Sequence, residues 1–118
     1  MTDYVSTGTA LELQSLGLKD NETDRSERLC LIHADLYFAT ESGSFYYRIN
    51  GHNGGLVFAP TSTQLLNKLG SKFQLSYHKG RFYCTGDSVS WFGKIWSHEN
   101  PAEACASAWI YMKRKNKI

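Results

Sequence analysis

Long apolar runs are missing from this chain: no stretch approaches the roughly 20 residues that a membrane helix needs. The first ten residues, MTDYVSTGTA, lack the basic start and apolar block of a secretory signal, so a cytoplasmic location is expected. Cysteine is scarce and uneven in number. Cys30, Cys84 and Cys105 show no CxxC spacing, which points away from a disulfide framework or a zinc knuckle and toward three reduced, mostly buried thiols. Neither GxxxxGKS/T nor GxGxxG occurs, and no HxxxH pair links His33, His52, His78 and His98. Carboxylates thin out after residue 60, leaving Asp87, Glu99 and Glu103, which disfavours a two-carboxylate hydrolase. No cofactor, metal site or catalytic residue is therefore expected, and the chain reads as a non-enzyme.

What is present is one domain's worth of residues with 42% apolar, 20% charged and a high 14% aromatic content, enough for a real core. The charge is polarised. Residues 1–60 carry four Lys/Arg against eight Asp/Glu, whereas residues 61–118 carry nine against three. Such asymmetry fits a solvated face and also a face for an acidic partner, nucleic acid included.

The clearest local pattern is KFQLSYHKGRFYCT, residues 72–85. Lys79-Gly80 supplies a two-residue turn that places His78 opposite Arg81, Tyr77 opposite Phe82 and Leu75 opposite Cys84. Strand alternation then gathers Phe73, Leu75, Tyr77, Phe82 and Cys84 on one face and Gln74, Ser76, His78, Arg81, Tyr83 and Thr85 on the other. A one-residue slip would scramble both sets.

Around this hairpin, the order expected is α-β-(β)-α-β-β-β-α. Residues 1–23 read as an N-terminal arm with one short helix, Ala10 to Leu16, ending near Gly17; residues 24–118 read as a single domain. Asp24 to Phe38 is expected to be helical. Leu29, Ile32, His33, Leu36 and Tyr37 fall at helical spacing behind an Asp24/Glu27 capping box. The competing reading of LCLI is a strand. Phe45 to Ile49 is a strand candidate, followed by the glycine-rich loop 50–55 and a short strand at Leu56 to Phe58. Thr61 and Gln64 form a capping box for a helix over Ser62 to Leu69, ended by Gly70. Ser88 to Trp96 reads as a third strand of the meander. Asn100, Pro101 and Glu103 open a closing helix whose Ala102, Cys105, Ala106 and Trp109 face inward. The fold class expected is α+β: an antiparallel sheet of three to five strands packed by two to three helices.

Three of these signals, in this order, resemble small tailed-phage proteins with the phage ABA-sandwich domain: FAPTSTQLLNKLG (Phe58 to Gly70), the aromatic hairpin, and HENPAEACASAWIYM (His98 to Met112). The likeness spans about Asp24 to Met112. It departs at Ala59-Pro60-Thr61, where an extra residue follows the proline, and the arm has no counterpart. The resemblance implies a fold and a phage origin and carries no catalytic residues.

With no catalytic constellation, the expectation is a binding protein acting on a host protein or complex, inhibitors of bacterial defence systems such as CRISPR-Cas being one such class. Tyr46, Lys79, Arg81, Tyr83, Trp96 and Tyr111 are the candidate partner contacts, since aromatic residues and arginine dominate binding hot spots. The alternative is a nucleic-acid-binding module using the basic half. Helix, three antiparallel strands and basic terminal helix is an order similar to that of double-stranded RNA-binding domains. Lys72, Lys113, Arg114, Lys115 and Lys117 would then meet phosphates. A homodimer through sheet edges or exposed aromatics is left open by the sequence.

Overall fold

Short antiparallel strands rather than helical repeats organise the first half of the chain. The computed structural model describes residues 2–18, 28–49, 55–86, 94–116 and 118. The chain falls into two compact units: Ser6–Pro60, and a second unit joining Met1–Val5 to Thr61–Ile118. The α+β class stands, with three helices and antiparallel strands divided between two sheets.

The Ser6–Pro60 unit opens with α1, Thr7–Ser15, capped by the Ser6 hydroxyl, which accepts from the Thr9 N–H. Its end is a Schellman motif. Gly17 takes φ 94°, and the Leu18 N–H donates to the Leu13 carbonyl at 3.0 Å. Leu13 and Leu18 are both buried at that turn. Four strands follow, β1 (Leu29–His33), β2 (Leu36–Ala39), β3 (Ser44–Arg48) and β4 (Leu56–Ala59), paired in that order as an antiparallel meander. Helix α1 lies against β4, and Leu36, Val57 and Ala59 are buried with Ala10 and Leu13.

The expected helix over Asp24 to Phe38 is corrected here. Residues 24–27 lie outside the described residues, and Leu29 onward is the β1–β2 hairpin. Its turn is Ala34-Asp35, with Ala34 at φ 46°. Left-handed backbone crowds an alanine Cβ, so nothing in the residue types announces this turn. The apolar positions that mimicked a helical stripe are strand positions, and Leu29, Leu31 and Ile32 are exposed rather than in the core.

In the second unit, α2 (Ser62–Leu69) carries the expected capping box. The Gln64 N–H donates to the Thr61 hydroxyl and the Thr61 N–H to Gln64 Oε1, and Gly70 at φ 99° ends the helix. Strands β5 (Phe73–His78), β6 (Arg81–Gly86) and β7 (Ile95–His98) form an antiparallel sheet in sequence order. The β5–β6 register is the one read from the sequence, from Phe73 opposite Gly86 to His78 opposite Arg81. Lys79 at φ 49° and Gly80 at φ 83° give the two consecutive left-handed residues of a type I′ turn. The expected strand Ser88 to Trp96 lies mostly outside the described residues, Trp91 included; its described part begins at Ile95 and runs to His98.

Helix α3, Pro101–Arg114, is nearly enclosed. Ala102, Ala104, Cys105, Ala106, Ala108, Trp109 and Met112 are all buried, because the helix packs on β6 and β7 and also against α2. Small side chains on both sides let it lie close to each neighbour. The Asn100 carboxamide accepts from the Ala102 N–H at 2.9 Å, with Pro101 in the first turn.

Residues 2–5 complete this unit. Asp3 accepts from the Ser62 N–H at 3.0 Å and the Ser62 hydroxyl at 3.1 Å, and Asn100 Nδ2 donates to the Tyr4 carbonyl at 2.9 Å. One short segment thus holds the first turn of α2 and the cap of α3. Among the described residues no helix is long and apolar enough to cross a membrane.

Candidate functional site

Strand alternation divides the β5–β7 sheet into two faces. One carries Phe73, Leu75, Cys84 and Trp96, and α3 lies over it, meeting Cys84 through Cys105. The other carries Gln74, Ser76, Arg81, Tyr83, Ile95 and Ser97, all exposed except the half-buried Tyr83. The sequence-derived contacts are accordingly split. Arg81 and Tyr83 sit on the open face, where Arg81 Nη2 donates to the Ser97 carbonyl and hydroxyl, and Lys79 is exposed at the turn. Trp96 and Tyr111 meet on the helix side, ring centroids 5.4 Å apart.

That meeting point gathers aromatic and cationic groups from β5, β7 and α3. Tyr111 lies on the last turns of α3, and β7 brings Trp96 beside it; Phe73 of β5 stands 6.4 Å from Trp96 on the far side. Lys94 Nζ is 5.3 Å and Lys115 Nζ 5.8 Å from the Tyr111 ring centroid, and Lys113 Nζ is 5.9 Å from that of Trp109. A ring's negative face attracts each ammonium and holds a long side chain in place. Trp96 and Tyr111 are half-buried, while Lys94 and Lys115 are exposed.

Lys94 was not among the contacts taken from the sequence, although alternation puts it on the same side as Trp96, two positions away. Tyr46 is corrected. It was expected at a surface and is buried in β3, its ring 5.8 Å from Phe58. Lys72 is exposed just before β5, Arg114 is exposed at the end of α3, and Lys117 lies outside the described residues.

The charge pattern follows the two units. The second unit holds nine Lys/Arg against four Asp/Glu, and Ser6–Pro60 holds four against seven. Three of the nine cations, Lys113, Arg114 and Lys115, end α3, where the helix dipole also favours positive charge.

The groups that bear chemistry are scattered. Cys84 and Cys105 are fully buried and share a hydrogen bond. That bond and burial push the Cys105 thiol well above its ordinary range, so it stays protonated at neutral pH. His98 accepts from the Asn100 N–H through Nδ1, placing it in the turn before α3. Among the described residues no three His, Cys, Asp or Glu come together as a metal cage would require. Compared with protein-family models, curated proteins and solved structures, the chain matches none.

Proposed function

We propose that this chain is a non-enzymatic binding protein that engages an acidic surface of a host protein or complex through the Trp96–Tyr111 corner of its second unit. The observation that carries the reading is the pair of lysines, Lys94 and Lys115, lying over Tyr111 with Trp96 against it. A lysine free in water loses rotamer entropy when it binds; one already resting on a ring has lost part of it beforehand. A half-buried Trp–Tyr pair also matches the composition of interface hot spots.

The resemblance to phage ABA-sandwich proteins extends the proposal to a phage accessory protein acting in the bacterial cytoplasm. There it would block a defence complex such as CRISPR-Cas by direct contact. The mildly basic charge disfavours mimicry of DNA, which would need a strongly acidic surface.

One observation favours a second reading, a nucleic-acid-binding module. The excess of cations is concentrated in this unit and includes Lys113, Arg114 and Lys115 in consecutive positions, beside stackable rings. Affinity capture from bacterial lysate, with and without nuclease, separates the two. A protein retained after nuclease, and lost at least tenfold with Tyr111→Ala or Lys94→Glu, supports the first. Loss of all retained material on nuclease treatment transfers the assignment to nucleic acid.

A further inference from the structure

An outer edge of the four-stranded sheet is β1, LCLIH, and of the usual protections of an edge strand it has its shortness and the irregularity between Leu31 and His33. It contains no proline or lysine, and Leu29, Leu31 and Ile32 are 37%, 59% and 50% exposed. Its hydrogen-bonding direction is fixed by its neighbour. The Arg28 carbonyl accepts from the Thr40 N–H at 3.3 Å, in register with Cys30 opposite Phe38. Antiparallel ladders alternate, so Arg28 and Cys30 turn their backbone groups toward β2, while Leu29 and Leu31 turn theirs outward. Among the described residues no strand meets that side.

We propose that β1 pairs with β1 of a second copy of this chain, antiparallel about a two-fold axis through Cys30. Two outward residues separated by one position are self-complementary in a single register. Leu29 of each copy faces Leu31 of the other as a hydrogen-bonded pair, making four backbone bonds. In that register all four leucine side chains gather on one face of a continuous eight-stranded sheet, and the exposed apolar groups cover each other. Other two-fold registers use one outward residue twice or run through the irregularity between Leu31 and His33, where the ladder is broken. Pairing through β4 of the second copy would join unlike edges and leave an edge free at each end, giving filaments instead of a closed dimer.

The contact is small. A five-residue edge buries less than the roughly 1,000–1,200 Å² of total surface that a stable interface needs. Association is therefore expected in the range of about 10 µM to 1 mM.

Cys30 supplies a reporter. The two copies of Cys30 form the non-hydrogen-bonded pair at the axis, where Cα atoms lie about 4.5 Å apart, within the range a disulfide spans. It is also the partly exposed cysteine of the three, Cys84 and Cys105 being fully buried. The experiment is sedimentation equilibrium on the full chain from 10 µM to 1 mM, together with oxidation by diamide. In that reaction two thiols lose their hydrogens to form the disulfide and diamide is reduced to the hydrazine. The expected result is a mass rising toward twice 13.4 kDa and a diamide-linked dimer. Cys30→Ser should lose the cross-link and keep the association. Leu31→Lys, and independently Leu31→Thr, which retains strand propensity, should slow cross-linking at least tenfold. A wild-type chain that stays monomeric at 1 mM overturns the proposal, as does continued growth beyond the dimer. Moving the thiol, with Cys30→Ser and Leu31→Cys together, should slow cross-linking; faster linking would overturn the register.

Discussion

Removing the Asp3 carboxylate should loosen the second unit far more than a change near a chain terminus normally does. The Asp3→Ala substitution deletes two hydrogen bonds, 3.0 Å to the Ser62 N–H and 3.1 Å to its hydroxyl. Ser62 is only 6% exposed, so water replaces the lost acceptor poorly. Bonds to a charged group contribute about 1.5–3 kcal/mol each, but Asp3 is half-buried and regains hydration on unfolding, so the net loss is about 2 kcal/mol. For a chain of this length that corresponds to a fall in Tm of about 8 °C. Urea unfolding followed by tryptophan fluorescence is the assay, because all three tryptophans lie after residue 60. Asp3→Asn keeps an acceptor for the N–H and should lose about half as much. Ser62→Ala should cost about 1 kcal/mol alone and should blunt the effect of Asp3→Ala by about 1 kcal/mol in the double variant. An Asp3→Ala loss below 0.5 kcal/mol, or additive losses in the pair, would refute the assignment of residues 2–5 to the packed unit.

Both tight turns hold a residue with a Cβ in left-handed backbone, so Lys79→Asn and Ala34→Gly should each stabilise the fold by about 0.5–1 kcal/mol, read from the urea midpoint. In the native protein a water-soluble disulfide reagent should titrate Cys30 alone within minutes, and three thiols in denaturant; rapid reaction of a second native thiol would contradict the burial of Cys84 and Cys105. Because the Cys105 thiol is raised in the folded state, its contribution is complete below about pH 9 and is lost above it, as the unfolded chain ionises and the native one does not. Cys84, its hydrogen-bond partner, is shifted the other way, so the reference is the double variant Cys84→Ala/Cys105→Ala. Relative to it, stability should fall above about pH 9 by up to about 1.4 kcal/mol per pH unit, and parallel profiles for the two proteins would exclude the effect.

Legibility in the sequence followed how much each element depends on local chemistry. The Lys79-Gly80 hairpin, the α2 capping box and the Asn100-Pro101 start of α3 were readable because turn and cap residues act within three or four positions. The β1–β2 hairpin was not, since Ala34-Asp35 carries no turn signature and LCLI fits either period. The Asp3–Ser62 link joins residues far apart in the chain, and spacing rules do not reach it. Of the candidate contacts, Trp96 and Tyr111 come together, Arg81 and Tyr83 share the opposite face, and Tyr46 is buried. Which aromatic residue is wet depends on the packing partner of its face, and one strand's alternation does not contain that.

The bond from Asp3 to the start of α2 also has a kinetic meaning. Closing it across an unfolded Ser6–Pro60 segment costs about 3–4 kcal/mol of loop entropy. Once that segment has folded, with α1 held against β4, the flexible span is gone and closure is cheap. The order of assembly is then dictated by topology: the inserted meander forms first, and the unit that surrounds it in sequence closes last. Weakening β4 or α1 should therefore slow the folding of a unit to which neither belongs.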